Sequence, residues 1–189
     1  MSLKYLIASD IHGSAYYCGL LLRAFEETRA DRLLLLGDLL YHGPRNDLPR
    51  EYDPKRVIGM LSDAADRIFC VRGNCDTEVD QMVLPFPIMA DYAVFTCGSR
   101  LMYATHGHIF HPDNPPPLQP EDILLFGHTH VPEVRAGSRC VCVNPGSVSI
   151  PKEGSRPSCI LLENGIFRWR DIVTGEFYRQ YVPGTPGKE

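Results

Sequence analysis

The sequence predicts a layered α/β fold, and three observations carry that expectation. Residues 4–9 and 32–36 are short apolar runs, and residues 16–28 between them place Leu21, Leu22 and Phe25 at helical spacing, which reads as β-α-β. The unit then repeats: Asp53-Pro54 supplies an N-cap with proline at the first helical position, Val57, Leu61 and Ala64 form one stripe, and residues 67–71 run apolar again. Beyond about residue 90 the chain turns strand-rich, so helices accompany the first half and antiparallel pairing is expected in part of the second.

Within that second half, residues 92–96 and 101–105 flank a Cys97-Gly98-Ser99-Arg100 turn and predict a hairpin. Further strands are expected over 122–126, 139–143, 158–162, 166–172 and 177–182, separated by turns that include Asn164-Gly165 and Thr174-Gly175. Residues 41–52 and 111–120, the latter with Pro115-Pro116-Pro117, read as long loops, either substrate walls or solvated connectors. Residues 1–182 are read as a single domain and 183–189, with two Pro and two Gly, as a frayed tail.

Composition narrows the function. A chain of 189 residues that is 44% hydrophobic and 22% charged can bury a sizeable core, which excludes a disordered or fibrous protein. Nineteen Lys and Arg against twenty-three Asp and Glu give a net charge of −4, so the electrostatic footprint of a general nucleic-acid binder is missing. Apolar runs such as residues 33–36 fall far short of the roughly 18 residues needed to cross a bilayer. The start reaches Asp10 and His12 too soon for a signal peptide, and a cytoplasmic protein without a membrane partner is expected. Seven cysteines with no C-x-x-C pair read as reduced thiols, with Cys140 and Cys142 on one face of a strand and more at home in a core than on a metal.

The informative feature is a series of polar clusters, each just after an apolar run. Asp10-x-His12, Gly37-Asp38, Gly73-Asn74-Cys75-Asp76, His106-Gly107-His108 and Gly127-His128-Thr129-His130 follow in order. In layered α/β folds ligands bind outside the carboxyl ends of the strands, so the five clusters can share one rim. Singly, each residue has an ordinary reading as helix cap, turn or hydrogen-bonded histidine. Together, Asp, Asn and imidazole form a ligand set suited to Mn, Fe, Zn or Ni, with enough donors for two ions. A carboxylate such as Asp38 can bridge two ions, whose shared water becomes a nucleophile near neutral pH.

These blocks resemble the calcineurin-like metallophosphoesterases, whose pattern runs D-x-H, G-D, G-N-[HC]-[DE], H-G-H and G-H-x-H. Arg72-Gly73-Asn74-Cys75-Asp76, His42-Gly43-Pro44-Arg45-Asn46 and Asn144-Pro145-Gly146-Ser147 further resemble the small bacterial phosphodiesterases of the YfcE type, and the likeness runs from about residue 4 to 182. The resemblance implies a four-layer α/β/β/α sandwich, two mixed sheets flanked by helices, with a dinuclear metal site on one edge. It implies that Asp10, His12, Asp38 and His130 hold one ion, and that Asp38, Asn74, His106 and His128 hold the other. His128 and His130 reach neighbouring ions only if the backbone turns sharply after Gly127.

The implied activity is a phosphodiesterase acting on a small diester through a hydroxide that bridges two divalent ions, Mn²⁺ first, with Ni²⁺, Fe²⁺ or Zn²⁺ as substitutes. Asn74, Cys75, Asp76 and His108 are the candidate catalytic group. In many relatives a histidine after the Asn protonates the leaving group and the following acid orients it; here Cys75 stands there, a weaker acid that carries no imidazolium charge. His108 is open between donating to phosphate and packing. His42, Arg45 and Arg72 are candidates for substrate contact, because guanidinium groups suit phosphate oxygens, although Arg45 reads equally as a solvated charge. Residues 144–147 read as a supporting turn. The alternatives are a protein-interaction scaffold of the kind the retromer subunit of this fold represents, which should have lost ligands, and a phosphomonoesterase or nucleotide hydrolase. Assembly into a homo-oligomer is left open.

Overall fold

The computed structural model describes residues 3–184 and shows two mixed sheets face to face. The first half follows the expected β-α-β order: β1 (Tyr5–Ala8), α1 (Ala15–Thr28), β2 (Arg32–Leu35), α2 (Pro54–Ser62), a single 3-10 turn, and β3 (Ile68–Cys70). Next come α3 (Glu78–Val83), the hairpin β4 (Tyr92–Cys97) and β5 (Arg100–Thr105), β6 (Ile123–Leu125), β7 (Pro132–Ala136), β8 (Val141–Pro145), β9 (Ser158–Glu163), β10 (Ile166–Asp171) and β11 (Phe177–Tyr181). One sheet has the order β11-β10-β9-β1-β2-β3 and the other β4-β5-β6-β8-β7. β1, β2 and β3 are parallel to one another, as are β5, β6 and β8, while the outer pairings are antiparallel.

The alternation of side chains along each strand sorts the core into three layers. Leu6, Ala8, Leu33, Leu35, Cys159 and Leu161 face α1 and α2, which contribute Leu21, Phe25, Val57 and Leu61. Their neighbours Ile7, Leu34, Ile160 and Leu162 face the opposite way and meet Met102, Ala104, Ile123, Leu125 and Val143 of the second sheet. The outer face of that sheet buries Tyr103, Leu124, Phe126, Cys140 and Cys142 under Phe110 and Leu118. The fourth layer here is thus the loop after β5. Its Pro115-Pro116-Pro117 run lacks the N–H groups a helix interior needs, so a loop, not a helix, covers this face.

Local chemistry sets the helix ends. The Ser14 hydroxyl accepts the Tyr17 N–H at 3.2 Å and Asp53 accepts the Arg56 N–H at 3.1 Å, with Pro54 following it. Ala64 of the expected stripe lies in the turn after α2 yet is buried with Val57 and Leu61. Two elements have no counterpart among the expected ones. α3 buries none of its residues and so shows no apolar period, but Thr77 and Asp80 form a capping box that a reading of caps could have found. β7 is an edge strand whose Val134 pairs with Val143 while its other side chains are polar or small. All seven cysteines are free thiols, with Cys140 and Cys142 Sγ 3.8 Å apart on one face. The expected frayed tail falls outside the described residues from 185 onward; Pro183 and Gly184 form a turn.

Trp169 is fully buried between the sheets, and its indole N–H donates to the Asn144 carbonyl at 2.9 Å. Replacing it by Phe keeps an aromatic ring but deprives that buried carbonyl of the donor. Trp169→Phe should therefore lower unfolding free energy by about 1–3 kcal/mol, read as a lower denaturant midpoint at unchanged slope.

Candidate metal centre

Because β1, β2 and β3 run parallel, as do β5 and β6, the loops that follow them leave their sheets at the same ends and bring the five clusters together. The turns are tight. Asp10, His12, Asp38, His128 and His130 all have positive φ, between 48° and 66°, a region that non-glycine residues seldom occupy. The sharp turn anticipated after Gly127 is thus present on both sides of Thr129. Glycine is needed where loops touch: a Cβ on Gly73 would overlap the Asp38 carboxylate, and one on Gly127 would overlap the Ser9 side chain.

Asp10 Oδ1, His12 Nε2 and His130 Nε2 form a near-equilateral triangle with sides of 3.6, 3.4 and 3.3 Å. Ligand atoms about 2.0–2.2 Å from one ion, at angles between octahedral and tetrahedral, lie roughly 2.8–3.6 Å apart. A second set gathers at His106 Nε2, which is 3.1 Å from Asn74 Oδ1, 3.2 Å from His128 Nδ1 and 3.5 Å from Asp38 Oδ2. Asp38 Oδ2 also lies 3.7 Å from His12 Nε2, so one carboxylate oxygen sits between the two sets. Cys75 Sγ falls within 4.8 Å of the His12 and Asp38 donor atoms, beside the donors proper.

Backbone carbonyls orient the imidazoles. Nδ1 of His12, His106 and His130 donates to the carbonyls of Tyr41, Leu36 and Ile150 at 2.8, 2.7 and 2.7 Å. A carbonyl only accepts, so these Nδ1 atoms carry hydrogen and each ring turns its Nε2, the nitrogen whose lone pair would bind a metal, to the centre. His12 and His130 then face each other through nitrogens 3.3 Å apart, an arrangement that needs a proton or a cation between them. Asp10 Oδ1 is buried with no hydrogen-bond partner among the described residues, while Oδ2 accepts the His128 N–H at 3.2 Å. Acceptors converging without donors fit a metal cation.

The charges agree. Burial alone would raise the Asp10 pKa, but the imidazoles of His12 and His130, with His106 nearby, hold it well below the usual carboxylate range. Burial pulls His12 down, and Asp10 and Asp38 more than reverse this, so its pKa is raised. Burial and His106 depress His128 to about 4, leaving it neutral and free to bind metal. Burial followed by the charge of Asp38 pushes the Cys75 thiol up to about 12.

Asp76 does not address residue 75. Its Oδ2 accepts the N–H groups of Asp38 and Gly73, both at 2.8 Å, and its Oδ1 that of Leu39 at 2.9 Å, so it ties the loop after β2 to the loop after β3. The Asn74 amide donates to Cys75 Sγ at 3.3 Å, which turns its Oδ1 toward His106. Asn144 donates to the Gly127 carbonyl at 3.0 Å and Thr129 Oγ1 at 3.1 Å, and Ser147 and Ser149 donate to the Asp10 carbonyl. Residues 144–149 thus buttress both ligand-bearing loops.

A cleft of about 310 Å³ opens onto the centre, and Arg45 and Asn46 line it. The structure places the two other candidate substrate contacts outside this lining. Arg72 does not line this cleft and pairs with Asp91 at 2.7 Å; the His42 ring lies edge-on to Tyr41 and Tyr52, also away from the lining. His108 likewise stays outside it, 5.4 Å from His106 between ring centres, and its pKa is lowered by burial and by His106. Lys152 lines the cleft and was not foreseen, since a lone lysine after Pro151 carries no spacing signal.

Comparison with known proteins identifies the family and the fold. The profile of the calcineurin-like phosphoesterase superfamily domain matches residues 3–165. The chain belongs to that superfamily. It is 44% identical over 164 residues to the phosphodiesterase YfcE of Escherichia coli K12, covering 87% of this chain and 89% of the relative. It is 29% identical over 187 residues to the probable metallophosphoesterase YsnB of Bacillus subtilis, covering 93% and 90%. The solved structure of the E. coli phosphoesterase YfcE superposes with a TM-score of 0.92 at 41% identity, over 96% of this chain and 100% of that one. Vps29 of Chaetomium thermophilum shares the fold at a TM-score of 0.62 and 18% identity, over 96% and 100% of the two chains. Among the described residues no helix is long and apolar enough to cross a membrane.

Three outcomes test the centre. Mn²⁺ added to chelator-stripped protein should raise Tm, by about 2.7 kcal/mol of stability at a hundredfold excess over Kd. His12 has a raised pKa and must lose its proton to bind, so the Mn²⁺-induced rise in Tm should be smaller at pH 6 than at pH 8. Asp76→Ala should cost about 3 kcal/mol or more, because three buried N–H groups lose a charged acceptor, and should weaken Mn²⁺-induced stabilisation together with it.

Proposed function

We propose that this protein is a dinuclear metal-dependent phosphodiesterase, with Asp10, His12, Asp38 and His130 holding one divalent ion and Asp38, Asn74, His106 and His128 the other. The observation that carries this reading is the pair of donor sets flanking Asp38 Oδ2, 3.7 Å from His12 Nε2 and 3.5 Å from His106 Nε2. Asp, Asn and His are hard-to-borderline donors, which favours Mn²⁺, with Ni²⁺, Fe²⁺ or Zn²⁺ as substitutes. Divalent ions supply there a Lewis acid for the phosphoryl oxygen and a water acidic enough to be a nucleophile near neutral pH.

The protein's own groups bind and orient the substrate. Arg45 and Lys152 place positive charge at the mouth of the cleft and draw in a small phosphodiester anion. Asn74 is held with its carbonyl oxygen inward by its amide contact to Cys75. Neither Cys75 nor His128 is a strong acid donor for a departing alkoxide: Cys75 stays a thiol to about pH 12 and His128 is neutral above about pH 4. Diesters with good leaving groups should therefore be turned over best. The intact donor set speaks against a scaffold role, and the missing imidazolium at position 75 speaks against efficient phosphomonoester hydrolysis.

Hydrolysis of bis(p-nitrophenyl) phosphate should exceed that of p-nitrophenyl phosphate with Mn²⁺, and Asn74→Ala should lower kcat by about a hundredfold or more. Absence of diester turnover with all four metals would overturn the assignment. Lys152→Ala should raise KM severalfold at nearly unchanged kcat, the signature of lost uniform binding.

A further inference from the structure

A second cleft of about 450 Å³ also borders His128 and is lined by His108, His111, Phe126, Glu133, Asp113 and Arg135 among others. His128 lines both clefts, so the second cleft abuts the donor sets at that residue. The two clefts differ in charge. The first carries Arg45 and Lys152, whereas in the second Arg135 is met by Asp113 and Glu133, each at 3.3 Å, which leaves the walls without positive excess. Nδ1 of His108 is buried with no partner among the described residues, and Phe126 adds an apolar wall. The volume falls within the range of about 300–1,000 Å³ that small-molecule sites occupy.

We infer that this second cleft is a subsite for one of the two organic groups of the diester, and that it selects an uncharged, hydroxyl-bearing group of nucleoside size. The inference rests on the phosphodiesterase reading and deepens it. A phosphodiester has two ester arms, and a centre that opens into two clefts can seat both. Glu133 and the imidazoles of His108 and His111 offer acceptors and donors to hydroxyls. A further phosphate or carboxylate would face Asp113 and Glu133 and be repelled. The long loop after β5, which supplies His111 and Asp113, thus covers the second sheet and also walls a binding site.

The test compares two substrates with the same leaving group: the p-nitrophenyl ester of thymidine 5′-phosphate and methyl p-nitrophenyl phosphate. The Mn²⁺-loaded protein should favour the thymidine diester in kcat/KM by tenfold or more. Glu133→Ala, which removes an acceptor, and His111→Trp, which narrows the cleft, should each cut that ratio at least fivefold, and circular dichroism should show both variants folded. If the ratio stays within twofold of the parent protein in both variants, or if the parent shows no preference, the subsite assignment is overturned. If the unaltered protein turns over neither diester, the phosphodiesterase reading itself fails, and this one with it.

Discussion

Three backbone N–H groups, those of Asp38, Leu39 and Gly73, converge on the Asp76 carboxylate, and the centre depends on that grip. It fixes the separation of the loops after β2 and β3, which between them carry Asp38 and Asn74. The Cys75 N–H donates in return to Asp38 Oδ1 at 2.8 Å, so Oδ2 alone is left to face both donor sets. Burial raises the pKa of Asp76, and donors at both of its oxygens offset that cost. Without that tie, Asp38 would have rotational freedom and the space between His12 and His106 would lose its definition.

The five candidate ligand residues with positive φ hold backbone conformations that cost about 1–3 kcal/mol each, a sum comparable to the whole net stability of a domain. Such strain persists only where the surroundings over-determine it. The N–H groups of Asp10 and His12 donate to the carbonyls of Gly37 and Asp38 across the parallel strands, at 3.1 and 2.9 Å. The carbonyl of Asp10 takes hydroxyls from Ser147 and Ser149, and that of His130 takes the Lys152 N–H. Sheet pairing and the 144–149 segment therefore both serve to hold side chains at orientations that relaxed loops would abandon. The same segment receives the Trp169 indole, which connects the middle core layer to the ligand loops.

What was legible in the sequence follows from this construction. Asp10, His12, Asp38, Asn74, His106, His128 and His130 each sit within a few residues of a strand end, so local pattern exposes them and the parallel strands do the assembly. Strands and helices with one apolar face were legible for the same reason. α3 buries nothing and β7 is a mostly polar edge, so neither leaves a period to read. The role of Asp76 depends on backbone donors 37 and 38 residues away in sequence, and Lys152 enters the cleft because its own N–H is anchored to the His130 carbonyl. Arg72 and His42 carry suitable chemistry, but Asp91 engages one and the tyrosines flank the other, and composition does not report partners.

Cys75 shows how a departure from a family pattern can be absorbed. A thiol held at about pKa 12 is protonated essentially everywhere in the physiological range, so it adds no charge to a centre already crowded with carboxylates. Its sulfur accepts the Asn74 amide and leaves the amide oxygen for the metal side, a positioning contribution that needs no titration. A positively charged side chain in the same place would sit beside Asp38 and compete for it with a cation. In the proposed reaction, protonation of the leaving group is given up, and the burden of stabilising charge would pass to the bound cations and to the cationic mouth of the cleft. A substrate whose leaving group needs no proton is the natural match for such a site.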